Sequence, residues 1–352
     1  MIIATLVLVG TTVLATAWVT TPPALIGLRF VSGLGAGAML ASVATLASEF
    51  TPERYRALAV TAVTAGYPLG AMMTGLVANQ VMPEHGWQGM FALGGTVTLV
   101  LAALAALTMP ESLQFLSQRQ PSGALDRINR TLQRLTGTQI SALAAPEAAA
   151  TSSANVLHKM RALLAPQFRR RTLILWAAFF LSISALYVLM SWIPKLLINA
   201  GFESAVSNRA FTIFNLGGGL GIIFLGWLAA RLRLTTLITV FVAAAAFLMW
   251  LFASVLTAPI TATTLLALVF VLGFTLQGGY TGLYAVAAKL YPIEIRSTGV
   301  GWAIGLGRFG AVIGPGLAGY MIAAEVPITL NLLTFAIPLL LSGILAYTLK
   351  IR

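Results

Sequence analysis

No cysteine occurs in the 352 residues, and only two histidines do. The first absence excludes disulfide staples and thiolate metal sites. His85 and His158 have no partners at ligand spacing, so both read as solvated surface residues. Charge is scarce too: Asp, Glu, Lys and Arg make up 9% of the chain, against about 25% in an ordinary soluble domain. The carboxylates are Glu49, Glu53, Glu84, Glu111, Asp126, Glu147, Glu203, Glu294 and Glu325, all in loops or at the ends of apolar runs. No nucleophile–base pair or metal cluster is visible, so an enzyme is the least favoured class and no cofactor is expected.

What the chain has in quantity is apolar length. Hydrophobic residues make up 59% of it, and windows long enough to cross a bilayer, about 20 residues each, recur along it. Ten such segments are read: 2–20, 24–48, 57–82, 87–108, 172–197, 208–228, 235–256, 263–287, 298–322 and 328–349. Lipid offers the backbone no hydrogen-bond partners, so each must be a helix. The runs are too continuous for barrel strands, which alternate over about 10 residues. The opening MIIATLVLVGTTVLATA has the apolar core of a signal peptide but no basic leader, the first Arg or Lys being Arg29, so a spanning helix is the better reading.

A net charge of +12 raises nucleic acid as a partner. The placement of the cations argues against it. With residue 1 inside the cell, the inner side receives Arg54 and Arg56, nine cations between 110 and 171, Arg231, Arg233, Lys289, Arg296, Lys350 and Arg352. That is seventeen of 21, while the outer loops hold only Lys195 and Arg209. Such a bias marks cytoplasmic loops. It predicts a multi-pass protein of the cell's inner membrane with both termini cytoplasmic and no nucleic-acid partner.

The chain also repeats itself. Shifted by 240 residues, Leu28 meets Leu268, Phe30 meets Phe270 and Gly33 meets Gly273; Pro52, Arg56, Gly70 and Ala71 fall on Pro292, Arg296, Gly310 and Ala311. The same shift lays the first four segments over the last four in one orientation, as in transporters built from two parallel repeats. The expected fold is therefore all-α and membrane-integral, with two helix bundles and ten spans divided four plus six. The bundles are expected at 1–109 and 172–352, with a basic cytoplasmic loop at 110–171. The fifth and sixth segments have no partners, because their counterparts fall before Met1; the expectation is a bundle lacking its first two helices. Within the loop, Leu125, Ile128, Leu132 and Leu135 follow helical spacing and predict a short amphipathic helix. Residues 144–154 form an Ala/Ser-rich flexible stretch, and Arg169, Arg170 and Arg171 are placed to meet anionic lipid headgroups.

Several stretches resemble the major facilitator superfamily: LRFVSGLGAGA at 28–38, SEFTPERYRA at 48–57 and PESLQFL at 110–116. YPIEIRSTGVGWAIGLGRFGAVIGP at 291–315 resembles, more narrowly, the tenth loop and eleventh helix of aromatic acid:proton symporters of the 4-hydroxybenzoate type. The resemblance implies a secondary transporter taking up an aromatic carboxylate, with protons as the coupling ion of the complete form. It also implies proton-path or gating roles for Arg29, Glu49, Arg56 and Arg296. A departure is GWLAAR at 226–231, where the family pattern GxxxDR would put an acid at Ala230. A transport-inactive fragment, a sugar or other organic-anion porter, and a membrane receptor remain alternatives.

Gly33, Gly35 and Gly37 mimic a phosphate loop, but they lie in an apolar helix without the following Gly-Lys-Ser/Thr. Small residues that admit close helix approach explain them better, as they do Gly66, Gly70, Gly310 and Gly314. Intramembrane charges are functional candidates by default. Arg308 lies ten residues into its segment, about 15 Å deep at 1.5 Å per residue. Gln277, Tyr280 and Tyr284 share one helical face. The tyrosines and glutamine suit an aromatic ring with polar substituents, while Arg308 suits its carboxylate.

Overall fold

The computed structural model describes residues 2–51, 56–109, 111–143, 156–229, 231–256, 258 and 260–349. Among them are twelve helices. In the first part of the chain are α1 (Ile2–Thr16), α2 (Pro22–Glu49), α3 (Arg56–Thr108), α4 (Leu113–Arg119) and α5 (Ala124–Thr136). Then follow α6 (Val156–Leu163), α7 (Pro166–Asn199), α8 (Ser204–Ala229), α9 (Leu234–Val255), α10 (Ala262–Leu290), α11 (Ile293–Ala323) and α12 (Ile328–Thr348). Seven described helical stretches are long and apolar enough to cross a membrane, three fewer than the ten segments read from the sequence. The difference has local causes. At 15 residues, α1 reaches only about 22 Å, short of the ~30 Å hydrocarbon core. At 28 residues α2 is long enough to cross, and several of its side chains lie outside the described residues. The third and fourth segments join in α3, which turns at Gly86 (φ 60°, ψ −165°), a conformation that only glycine enters without strain.

The chain divides into two compact units: Met1–Tyr67 with Gln80–Ser153, and Pro68–Asn79 with Ala154–Arg352. In the first, glycine sets the spacing. The Cβ position of Gly10 points at Leu99, that of Gly95 at the Leu14 backbone, and that of Gly35 at Val9. As the numbers rise along α1 they fall along α3, so the two run antiparallel. The amphipathic helix expected in the central loop is α5; its Ala124 and Ile128 close over Leu116, with Leu113, Leu132 and Leu143 around them. The hydroxyl of Ser112 accepts from the Phe115 N–H and caps α4. Glu111 takes two hydrogen bonds from Arg127, at 2.9 and 3.0 Å. The Ala/Ser-rich stretch at 144–154 and Ala230 lie outside the described residues.

The second unit holds the large core, centred on buried Phe179, Phe214, Phe252, Met249 and Leu189. Its helices approach to backbone contact. A Cβ at Gly217 or Gly221 would strike the carbonyls of Phe270 or Phe274, and one at Gly273 the carbonyl of Phe214. The numbers rise together, so α8 and α10 run parallel. Hydroxyls tie α12 to its neighbours: Ser342 donates to the Ala178 carbonyl at 2.9 Å and lies 2.7 Å from Ser182, and Thr239 donates to the Gly343 carbonyl at 2.8 Å. Such interhelical bonds contribute about 0.6–2 kcal/mol each in a membrane. The stretch Pro68–Asn79 of α3 packs here as well, the Asn208 side-chain amide donating to the side-chain oxygen Oδ1 of Asn79 at 2.8 Å.

Candidate substrate site in the second unit

The site is built where α7 and α11 come together. The Cβ position of Gly307 faces Ile183 and Phe179, that of Gly310 the Phe180 carbonyl, and that of Gly314 Ser184. The helices therefore run parallel, at a separation that only glycine permits along this seam. Farther along, Trp192 donates its indole N–H to the Pro315 carbonyl at 3.0 Å and covers Gly319.

Arg308 stands beside that seam, next to Gly307. Its side chain is exposed, and Nη1 donates to the phenol oxygen of Tyr187 at 2.6 Å. The guanidinium carbon lies 5.9 Å from the centre of the Tyr187 ring. From α10, Tyr280 and Tyr284 bring their phenol oxygens within 2.9 Å of each other, with ring centres 5.6 Å apart at 72°. Phe179 links the two sides, facing Gly307 beside Arg308 on α11 and the Tyr284 ring on α10. Buried Phe179 meets the Tyr284 ring at right angles, centre to centre 5.1 Å, and so holds it. The result is a guanidinium, three phenols and an aromatic floor on α7, α10 and α11.

Of the residues singled out in the sequence, Arg308, Tyr280 and Tyr284 come together. Gln277 is turned toward α8: it is 5% exposed, lies over Gly218 and donates to the Phe214 carbonyl at 3.4 Å. Arg29 belongs to the first unit, with its guanidinium 4.2 Å from the centre of the Phe91 ring. Glu49, Arg56 and Arg296 are on helices, and their side chains lie outside the described residues. Gly310 and Gly314 sit in backbone contact, whereas a Cβ at Gly33, Gly37, Gly66 or Gly70 meets nothing within 4 Å among the described residues. Sequence reading missed Tyr187 and Phe179. Tyr187 is the only tyrosine in its segment, a usable signal, but the repeat comparison has no counterpart for that segment to set beside it.

The sequence profile of the Major Facilitator Superfamily matches residues 1–211 and 201–352. The chain belongs to this family. It is thus an integral membrane protein of transporter type. It is 32% identical over 318 residues to the 4-hydroxybenzoate transporter PcaK of Pseudomonas aeruginosa, a match covering 89% of this chain and 69% of that protein. Similarity to the gallate transporter of Pseudomonas putida is 30% over 327 residues, or 92% of this chain and 71% of the other. The benzoate transport protein of Acinetobacter baylyi is 28% identical over 326 residues, 92% of this chain and 68% of its own length. Among solved structures, the proton:xylose symporter XylE bound to 6-bromo-6-deoxy-D-glucose superposes with a TM-score of 0.65 at 15% identity. That match covers 97% of this chain and 78% of XylE, and it establishes the shared fold.

Proposed function

We propose that this major facilitator protein moves a small aromatic carboxylate, of the 4-hydroxybenzoate or benzoate kind, into the cell, with protons as the coupling ion. The observation that carries the reading is the exposed Arg308, ten residues into its segment and held by Tyr187 beside Tyr280 and Tyr284. A charge at that depth does not face hydrocarbon without a large penalty, so it serves a water-filled cavity or a ligand. Guanidinium pairs with carboxylate through two parallel hydrogen bonds. Phenols offer a ring face for stacking and hydroxyls for a ring substituent. The transporters of 4-hydroxybenzoate, gallate and benzoate among its relatives support that substrate class. In this reading Gln277 braces α10 against α8 behind the site.

The finer topology belongs to the same proposal. The chain crosses the inner membrane ten times, α1 making the first crossing together with residues 17–20 that follow it, four spans before the basic loop at 110–171 and six after it, with both termini cytoplasmic. Arg29, Glu49, Arg56 and Arg296 act in gating or along the proton path. Arginine does not deprotonate in proteins, so Arg29 and Arg308 do not carry the proton themselves.

The test is uptake of radiolabelled 4-hydroxybenzoate by cells expressing Arg308→Lys at wild-type level. Lysine keeps the charge and loses the planar two-pronged contact. The expected result is a tenfold or greater fall in uptake at low substrate. Unchanged uptake contradicts the proposed carboxylate contact.

A further inference from the structure

Where α7 begins and α10 ends lies a second feature that substrate recognition does not use. A cavity of about 660 Å³ is lined by Gln167, Phe168 and Arg171 of α7, Lys289 and Leu290 of α10, and Tyr291 and Pro292 after it. Its size falls in the range of ligand pockets, about 300–1,000 Å³. Two cations from separate helices border it, and no carboxylate does among the described lining residues.

The wall is built, not incidental. Tyr291 is 2% exposed and donates to the Thr172 hydroxyl at 3.2 Å, which in turn donates to the Leu163 carbonyl at 3.0 Å. That chain of bonds joins the end of α10 to α7 and α6. The Phe168 and Tyr291 rings pack 6.5 Å apart. Burial pushes the Tyr291 phenol above its ordinary range, against the smaller opposing effect of the Thr172 hydrogen bond. The phenol therefore stays neutral and adds no negative charge to the cavity.

Depth identifies the ligand's neighbourhood. The apolar run of α10 ends where Lys289 enters the sequence, and Tyr291 follows two residues on. On α7, Arg171 stands immediately before the apolar segment that begins at residue 172. Both cations thus sit at the level of the headgroups, on the side where the positive charge of the chain collects.

We infer that this cavity binds a phosphate group between Arg171 and Lys289, supplied by an anionic phospholipid of the surrounding leaflet. Two cations converging on one concave site at headgroup depth are what a phosphodiester with no compensating positive charge requires. The apolar lining from Phe168, Leu290 and Pro292 suits the glycerol and the upper acyl chain.

The experiment is native mass spectrometry of the detergent-solubilised chain, titrated separately with phosphatidylglycerol, phosphatidylcholine and inorganic phosphate. The expected result is one retained phosphatidylglycerol, bound at least tenfold more tightly than phosphatidylcholine. In Arg171→Gln/Lys289→Gln the preference disappears. In Arg171→Lys/Lys289→Arg, which keeps both charges, it persists, so loss through misfolding is separated from loss of the site. Arg169→Gln/Arg170→Gln, which alters neighbours outside the lining, also keeps it. Binding of inorganic phosphate with the same dependence on Arg171 and Lys289, and no lipid preference, would support the phosphate site while assigning it to a free anion. Equal binding by wild type and Arg171→Gln/Lys289→Gln, or an equal loss in Arg169→Gln/Arg170→Gln, overturns it.

Discussion

Nη1 of Arg308 donates a 2.6 Å hydrogen bond to the phenol oxygen of Tyr187, joining α11 to α7 beside the paired phenols of Tyr280 and Tyr284. A hydrogen bond to a charged group contributes about 1.5–3 kcal/mol. In Tyr187→Phe the ring and its packing stay and only the hydroxyl leaves. If the bond aims the guanidinium at substrate, KM for 4-hydroxybenzoate should rise by roughly tenfold, the equivalent of ~1.4 kcal/mol. Kinetics of initial uptake check this. An unchanged KM with normal expression would remove Tyr187 from the site.

The glycines offer a contrast within one protein. At Gly310 an added methyl meets the Phe180 carbonyl, and at Gly221 the Phe274 carbonyl, neither of which can rotate away. Overpacking of this kind costs about 1–3 kcal/mol. At Gly33 and Gly70 the methyl meets nothing among the described residues, and alanine gains about 1 kcal/mol of helix propensity. Thermal unfolding in detergent should therefore show Gly310→Ala and Gly221→Ala melting several degrees below wild type, with Gly33→Ala and Gly70→Ala at or above it. Equal losses at all four positions would mean that Gly33 and Gly70 are packed as tightly as the others.

Much of this was legible in the sequence because lipid is so restrictive a solvent. Apolar length forces helices, which located most of them, and the spacing of Ile128 and Leu132 located α5 in the central loop. Arg308 stood out because charge is rare in apolar surroundings. What escaped depended on the turn of one helix against another. Gln277 shares a helical face with Tyr280, yet a slight difference in direction sends its amide to the Phe214 carbonyl. Tyr187 carries no charge and no motif, and only the α7–α11 seam sets it against Arg308. Gly86 looks like any other glycine until its positive φ breaks α3.

The proposed topology is open to a direct check, since the chain has no cysteine of its own. A cysteine placed at Ser152, in the basic central loop, should be protected from an impermeant thiol reagent in intact cells. One placed at Glu84, between the third and fourth segments, should react. The reverse pattern would invert the orientation drawn from the lysines and arginines.

Counterflow exchange asks whether this chain recognises and moves aromatic carboxylates. Vesicles containing the protein are loaded with unlabelled benzoate and diluted into radiolabelled 4-hydroxybenzoate. The expected result is a transient accumulation of label that is absent from protein-free vesicles, from xylose-loaded vesicles and from vesicles carrying Arg308→Lys. Accumulation driven equally by xylose, or none above the protein-free control, would contradict the proposed function.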